Sequence, residues 1–231
     1  MNLPSLKELQ NGIIHLLYPD LCEGCSKPLI SGEHVLCMGC ATLLPETNYH
    51  YTDNNETAMR FAGRVPFVKA TSLAYFTEDG LLQHLLHGLK YRGQIENGKY
   101  LGARLAAALK KGGWLSDIDS IIPVPLHASR LQERGYNQSA IIANAMGKTV
   151  DELSLMRIRK TESQTTKTRA ERADNMQGAF SLPDSTRLNG KHVLLLDDVL
   201  TTGATIEACA NVLLSAQNVK ISIATIGIAI S

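Results

Sequence analysis

The sequence predicts an α/β fold, a mostly parallel sheet flanked by helices, with a small cysteine-rich module at the amino end. Three observations support this prediction. Apolar strand-like segments alternate with amphipathic helical patterns from residue 71 onward, which is typical of a parallel sheet with helices on both faces. Four of the five cysteines lie within residues 22–40. The length of 231 residues suits one domain plus such a module.

Composition and charge exclude several classes of protein. Hydrophobic residues make up 44% of the chain, charged residues 19%, and the net charge is +1, which excludes disordered, collagen-like and coiled-coil proteins. No segment approaches the ~20 consecutive apolar residues of a membrane-spanning helix, and the start does not resemble a secretory signal. We therefore expect a cytoplasmic protein without membrane insertion. The charge balance excludes a uniformly basic nucleic-acid binder but allows a local basic patch.

The cysteines of the module have the spacing of a structural zinc site. They form two Cys-x-x-Cys pairs eleven residues apart, namely Cys22 with Cys25 and Cys37 with Cys40. Each such turn presents two sulfurs on one side, and zinc binds four thiolates tetrahedrally. Gly24 and Gly39 precede the second cysteine of each pair, where we expect positive φ to ease the reversal. Two disulfides are the alternative, but the odd cysteine count favours a reducing compartment.

The domain boundaries follow from composition. We assign residues 1–50 to an amino-terminal helix and the zinc-binding module, which is too short to fold without metal. Residues 51–65 are polar and rich in Asn, Thr and Glu, which is typical of a connector. Residues 66–231 form the main domain.

The first half of the main domain contains two predicted strands and two predicted helices. Residues 71–76 are a strand-like apolar segment, and 80–89 show helical periodicity. A second helix is expected over 100–111, where Gly112 and Gly113 end it. Residues 120–122 form a short apolar strand closed by prolines.

The second half continues the alternation. A helix is expected near residues 138–146, followed by an irregular polar segment and the apolar strand 193–196. A helix near 205–216 and a final strand over 219–229 complete the pattern. Ligands of such sheets bind at the carboxyl ends of the strands.

The most informative segment couples the strand 193–196 to an acidic pair and a Thr/Gly-rich turn. Asp197 and Asp198 follow the strand, and the turn comprises Thr201, Thr202, Gly203, Ala204 and Thr205. Hydroxyls and N–H groups at a helix amino terminus are a seat for a phosphate. The carboxylates only accept hydrogen bonds, so they suit two vicinal hydroxyls of a ribose. The segment thus indicates a site for a ribose 5-phosphate.

Other interpretations of this segment are weaker. The spacing of a P-loop and the Gly-x-Gly-x-x-Gly fingerprint are both absent. A receiver-type phosphoacceptor needs more chain than the 33 residues that follow Asp198. An ordinary strand–turn–helix with capping threonines stays open, although it does not explain the two adjacent aspartates.

Residues 193–205 resemble the phosphoribosyl-pyrophosphate (PRPP) binding motif of type I phosphoribosyltransferases. Beyond that motif, the chain resembles the ComF family of competence-associated proteins over almost its whole length. The shared blocks are the cysteine module at 22–40, Gly-Arg-Val-Pro at 63–66, His-Gly-Leu-Lys-Tyr-Arg-Gly at 87–93, Pro-Val-Pro-Leu-His at 123–127, Arg-Gly-Tyr-Asn-Gln at 134–138, and 164–180.

The resemblance implies a type I phosphoribosyltransferase-like fold and a PRPP site. The 5-phosphate would bind the turn 201–205 and the ribose would bind Asp197 and Asp198, which are also the candidate catalytic residues. Magnesium would bridge pyrophosphate and ribose oxygens. Lys90, Tyr91 and Arg92 would lie on the pyrophosphate side, although a basic helix end of this kind is commonly solvated.

Two basic blocks are candidate anion or loop contacts. Arg130 and Arg134 are four residues apart and would share a face of a helix. The segment 157–172 holds six basic and two acidic residues, a local charge of +4, and includes Arg169 and Arg172. By resemblance it matches the mobile loop that closes over PRPP in type I enzymes. A loop of this charge suits a nucleic-acid backbone equally well.

Two functions are therefore expected from the sequence. The first is an enzyme, a pentosyl-group glycosyltransferase that uses PRPP and a nitrogen nucleophile. The second, implied by the ComF resemblance, is a non-catalytic component of DNA uptake that binds single-stranded DNA or partner competence proteins. Nothing in the sequence indicates a purine or pyrimidine pocket. A purely structural zinc protein is disfavoured because the acidic pair and all three threonines are present.

Overall fold

The structure, a computed structural model, describes residues 19–159 and 178–230. The chain forms two compact units, Met1–Pro45 and Glu46–Ser231. The predicted amino-terminal helix lies before residue 19, outside the described residues. So do Arg169, Arg172 and most of the basic segment 157–172. Within the described residues, no helix is both long and apolar enough to cross a membrane.

The first unit is built from two chain reversals, one at each cysteine pair. The N–H of Ser26 donates to the carbonyl of Cys22 at 2.8 Å, and Ser26 takes a positive φ of 57°. The second pair lies at the start of helix α1 (Met38–Thr42), where Cys37 is the N-cap. The expectation of positive φ at Gly24 and Gly39 is wrong, because the first turn closes after its second cysteine and Gly39 is helical.

The second unit contains a four-stranded parallel sheet. Its strands are β1 (Ala70–Phe76), β2 (Ser120–Pro123), β5 (His192–Leu200) and β6 (Lys220–Ala229). Their order is β1-β6-β5-β2, and every pairing is parallel. The central strands β5 and β6 are buried along most of their lengths, as expected for a sheet covered on both faces. A separate antiparallel pair joins β3 (Met156–Arg157) to β4 (Phe180–Ser181).

Helices surround this sheet. In chain order they are α2 (Glu56–Phe61), α3 (Leu81–Tyr91), α4 (Ile95–Lys111), α5 (Ala128–Arg134), α6 (Gln138–Asn144) and α7 (Ala204–Leu213), with 3-10 helices at Tyr49–Tyr51 and Ser185–Leu188. Helix α3 buries four leucines at helical spacing, which are Leu82, Leu85, Leu86 and Leu89. Helices α4 and α6 approach closely at Gly102, where a Cβ would lie 2.3 Å from the carbonyl oxygen of Ile142.

The two largest differences in element boundaries from the sequence prediction are at β5 and α4. Strand β5 continues to Leu200 rather than ending at Leu196, so the acidic pair lies within the strand. The reason is that pairing with β6 extends to Leu200, opposite Ile228. Helix α4 begins at Ile95, five residues earlier than the predicted start at 100.

The segment 51–65, interpreted from its composition as a connector, lies in the second unit and contains α2. Asn55 caps this helix by accepting from the N–H of Ala58 at 3.0 Å. The same side chain donates to the carbonyl of Ala70 at the start of β1, at 2.9 Å. Phe61, the last residue of α2, is fully buried in the core. One buried ring and one buried amide therefore tie this polar segment to the sheet.

Candidate functional site

The acidic pair lies at the carboxyl end of β5, next to α6. Asp197 is partly buried, and the Ser139 hydroxyl at the start of α6 donates to its Oδ1 at 3.2 Å. The N–H of Asp198 donates to the same oxygen at 2.9 Å. Burial and the neighbouring charge of Asp198 raise the pKa of Asp197 to about 7. The Asp197 carboxyl group therefore titrates near neutral pH.

Asp198 is paired with a lysine from another helix. Its side chain is buried, and Oδ2 lies 2.6 Å from Nζ of Lys90 in the last turn of α3. The other carboxylate oxygen accepts from the N–H of Val199 at 2.7 Å. Burial acts to lower the pKa of Lys90, but the charge and hydrogen bond of Asp198 outweigh it and raise this pKa. Lys90 therefore stays protonated beside the two carboxylates.

The turn after β5 has the shape of an anion seat. Gly203 is the N-cap of α7 with φ of +82°, a conformation that favours glycine. A Cβ at this position would also lie 3.0 Å from Cε1 of Phe61. The N–H of Ala204 donates to the Thr202 hydroxyl at 3.4 Å. The first-turn N–H groups of this ten-residue helix have no partner within the helix, and the Thr202 hydroxyl lies beside them, which is the chemistry that binds anions.

Sequence reasoning missed two arginines at this turn. Arg60 donates to the carbonyl of Thr201 and Arg64 to that of Thr202, each at 3.2 Å. Arg60 lies within the segment interpreted as a connector. Arg64 belongs to the Gly-Arg-Val-Pro block at 63–66. The sequence assigned no role to this block, and its presence was the signal that could have indicated Arg64. Ser139 was missed as well.

The remaining basic candidates lie around the end of α3. Tyr91 is 68% exposed, Arg92 is exposed, and the Arg134 guanidinium lies 5.6 Å from the centroid of the Tyr91 ring. Arg134 also hydrogen-bonds Gln138 of α6. Arg130 is exposed on α5, on the same helix as Arg134. The structure thus places Arg134 beside Tyr91, adjacent in the chain to Lys90, while Arg130 faces solvent.

The four cysteines of the first unit form one cluster. Their Sγ atoms all lie within 4.8 Å of one another, and none of the five cysteines of the chain is in a disulfide. The Sγ atoms of Cys25 and Cys37 are 3.7 Å apart. Tetrahedral zinc with Zn–S bonds of about 2.3 Å places its sulfurs about 3.8 Å apart. The cluster therefore has the dimensions of a four-thiolate zinc site.

Backbone hydrogen bonds stabilise a thiolate in this cluster. The N–H groups of Cys37 and Gly24 donate to Cys22 Sγ at 3.2 and 3.4 Å. Burial acts to raise the pKa of Cys22, but these donors outweigh it and lower the pKa to about 6. N–H groups directed at cysteine sulfurs orient and support metal-binding thiolates. The donor set fits zinc.

Comparisons with known proteins extend these observations. A family model described as the phosphoribosyl transferase domain matches residues 132–230. The DNA utilization protein YhgH of Shigella flexneri is 28% identical over 214 residues, which cover 86% of this chain and 92% of that protein. Competence protein F of Haemophilus influenzae is 27% identical over 210 residues, 87% of each chain. A solved hypoxanthine phosphoribosyltransferase from Staphylococcus aureus matches with a TM-score of 0.33 and 18% identity, over 57% of this chain and 62% of that one.

Proposed function

We propose that this chain binds PRPP. Its residues 132–230 match the phosphoribosyl transferase domain, and over most of its length it is a homologue of competence protein F and of the DNA utilization protein YhgH. One observation carries the proposal. An acidic pair and a Thr/Gly-rich turn at the amino end of a helix occur together on one strand–turn–helix unit, β5 to α7, within the matched domain.

Each part of PRPP has a matching group in the site. The 5-phosphate binds the N–H groups and hydroxyls of the turn 201–205 at the amino end of α7. The 2′ and 3′ hydroxyls of the ribose donate to Asp197 and Asp198. Lys90 supplies a positive charge beside these carboxylates, and the pyrophosphate lies on the side of Lys90, Tyr91 and Arg92.

Magnesium is the metal expected with PRPP. Mg²⁺ takes hard oxygen ligands, commonly substrate phosphates with one or two carboxylates. The phosphate oxygens of PRPP and the carboxylates at the end of β5 offer this chemistry. When bound, the ion neutralises part of the pyrophosphate charge.

The reaction that such a site supports is substitution at the anomeric carbon of PRPP. The carbon–oxygen bond to pyrophosphate breaks and pyrophosphate leaves with the electron pair, while a nitrogen lone pair forms the new bond and the nitrogen then loses a proton. Positive charge develops on the ribose ring in the transition state. Asp197 and Asp198 hold the ring by its hydroxyls with negative charge nearby. The structure leaves the nitrogen nucleophile unspecified.

A second candidate function is supported by the names of the relatives and by Tyr91. The relative YhgH is named for DNA utilization and competence protein F for competence. The exposed ring of Tyr91 has the Arg134 guanidinium 5.6 Å from its centroid and the centroid of the His87 ring 4.8 Å away. Exposed aromatic rings beside cations are typical of single-strand binding sites. In this alternative the protein is a DNA-uptake component that binds single-stranded DNA or partner proteins.

Calorimetric titration with PRPP and magnesium tests the proposal. We expect saturable binding with one PRPP per chain, and we expect ribose 5-phosphate to compete for the same site because it carries the phosphate and both hydroxyls. Ribose 1-phosphate, which lacks the 5-phosphate, is the matched control and should bind weakly. Release of pyrophosphate with ammonia or a nucleobase would identify an enzyme.

Two results would contradict the proposal. If PRPP showed no measurable binding at millimolar concentration, the assignment of a ribose 5-phosphate site would be wrong. Equal competition by ribose 1-phosphate would remove the assignment of the 5-phosphate to the turn. Salt-dependent retention of single-stranded DNA in the absence of PRPP binding would favour the DNA-uptake alternative.

A further inference from the structure

Two arginines far away in the sequence hold the outer side of the anion-binding turn. Arg60, in the last turn of α2, donates through Nη1 to the carbonyl of Thr201 and through Nη2 to the carbonyl of Ala229 at the end of β6, both at 3.2 Å. Arg64 donates through Nη1 to the carbonyl of Thr202 at 3.2 Å. The same Nη1 donates to the carbonyl of Arg60 at 2.9 Å. The two side chains thus form one layer against the turn.

These contacts constrain the direction of the turn's N–H groups. A trans peptide unit points its C=O and its N–H to opposite sides. The carbonyl of Thr201 belongs to the peptide unit that carries the N–H of Thr202. The carbonyl of Thr202 likewise belongs to the unit of the Gly203 N–H. When guanidinium groups hold both carbonyls on one side, the two N–H groups point to the other side, where an anion binds.

Arg64 has a second contact that bears on anion binding. Its Nη2 forms an ion pair with Glu207, which lies in the first turn of α7. The side chains of both partners are about one quarter exposed, at 24% and 26%. A carboxylate in the first turn stabilises the helix, but its negative charge opposes a phosphate at the same helix end. The ion pair with Arg64 cancels that charge.

We propose that Arg64, supported by Arg60, is a positioning residue for 5-phosphate ligands: it orients the N–H groups of the turn 201–203 and neutralises Glu207. The inference rests on the proposed function, because it assigns a role at the same phosphate seat. Arg64 itself does not touch the ligand. Its effect passes through the turn and through the charge of Glu207.

The experiment measures the affinity for ribose 5-phosphate of four proteins, namely the wild type, Arg64→Met, Glu207→Gln and the double variant. Arg64→Met should lower the affinity about tenfold, because the turn loses a charged donor and Glu207 loses its partner. Glu207→Gln alone should raise the affinity or leave it unchanged. The double variant should recover a large part of the affinity lost in Arg64→Met, because the opposing charge is gone.

The double variant separates a charge effect from a purely structural one. If Arg64 only stabilises the fold, replacing Glu207 as well removes another contact and does not restore the affinity for ribose 5-phosphate. Arg104→Met is the matched control, since Arg104 forms a similarly exposed ion pair with Glu46 at 2.6 Å and lies on a different helix, α4. Arg64→Lys keeps the charge without the forked geometry, and it should retain more affinity than Arg64→Met. It also keeps the test usable if Arg64→Met fails to fold.

Three results would overturn the inference. Wild-type affinity in a folded Arg64→Met protein is the first, and no recovery in the double variant is the second. A fall in affinity with Glu207→Gln alone is the third. If the wild type binds neither ribose 5-phosphate nor PRPP, the proposed function fails directly and the inference fails with it. The inference fails by itself if the wild type binds and the variants do not differ.

Discussion

Replacing Asp197 and Asp198 together by asparagine is expected to lower the affinity for PRPP about a hundredfold or more. Each ionised carboxylate accepts hydrogen bonds from a ribose hydroxyl, and a neutral amide cannot supply the charge. Asparagine keeps nearly the same shape, so the loss reports charge rather than packing. Calorimetric titration of wild type and double variant with PRPP and magnesium measures the effect.

The single variants refine this expectation, because the two aspartates have different surroundings. Asp198→Asn leaves the partly buried ammonium of Lys90 without its ion partner, so this variant should be less stable than the wild type. Asp197→Asn should instead be more stable than the wild type. Folding raises the pKa of Asp197 from 3.8 to about 7, so the folded state holds a proton that the unfolded state releases.

The sign of the stability change at Asp197 follows from this difference. The Asp197 carboxylate does not destabilise the fold below its pKa in the unfolded chain, 3.8. Its destabilising effect grows as pH rises through its pKa in the folded protein, about 7. Urea unfolding at pH 8 should therefore show Asp197→Asn to be more stable than the wild type, by at least about 1 kcal/mol and at most about 4 kcal/mol. We therefore expect Asp197→Asn to bind PRPP more weakly and to be more stable than the wild type, as is typical of a residue that serves binding and destabilises the fold.

A matched control exists at the amino ends of the strands, away from the acidic pair. Asp119 precedes β2, is exposed, and accepts from the N–H of His192 at 2.7 Å. Asp119→Asn removes the same charge while keeping an acceptor, so PRPP affinity should not change. Unchanged PRPP affinity in the Asp197/Asp198 double variant would remove the ribose assignment.

Replacing Cys37 by serine is expected to release zinc and unfold the first unit. Metal binding contributes on the order of 10 kcal/mol to the folding of small zinc modules, and residues 19–45 are too few to compensate for that loss. Zinc content measured by mass spectrometry and proteolysis of the module should report the two effects together. We expect less than one bound zinc per chain and rapid cleavage between residues 19 and 45.

Cys209 provides the control for this variant. It is fully buried in α7, outside the cluster, so Cys209→Ala removes a thiol without removing a zinc ligand. This variant should keep one zinc per chain. A Cys37→Ser protein that also retains one full equivalent of zinc would contradict the four-thiolate site.

Local patterns account for the parts of the structure that the sequence could predict. The buried first part of β5 is a continuous apolar segment, and α3 shows its leucines at helical spacing. The cysteine cluster depends on two short turns and one short connection, so spacing alone brings the sulfurs together. The turn after β5 was also predictable, because its glycine, its threonines and the helix they begin are neighbours in sequence.

The features that the sequence did not predict depend on contacts between residues far apart in the chain. Arg60 is 141 residues from Thr201, and no local pattern indicates that its guanidinium binds that carbonyl. Lys90 and Asp198 likewise pair only because α3 ends beside the end of β5. The extension of β5 beyond Leu196 required its partner β6, whose pairing overrides the low strand preference of two aspartates.

A crystal structure of the protein with magnesium and ribose 5-phosphate is the decisive measurement for the proposed site. We expect the phosphate within hydrogen-bonding distance of the N–H groups of the turn 201–205, and the ribose hydroxyls on Asp197 and Asp198. A ligand bound elsewhere, or one with its phosphate away from that turn, would contradict it.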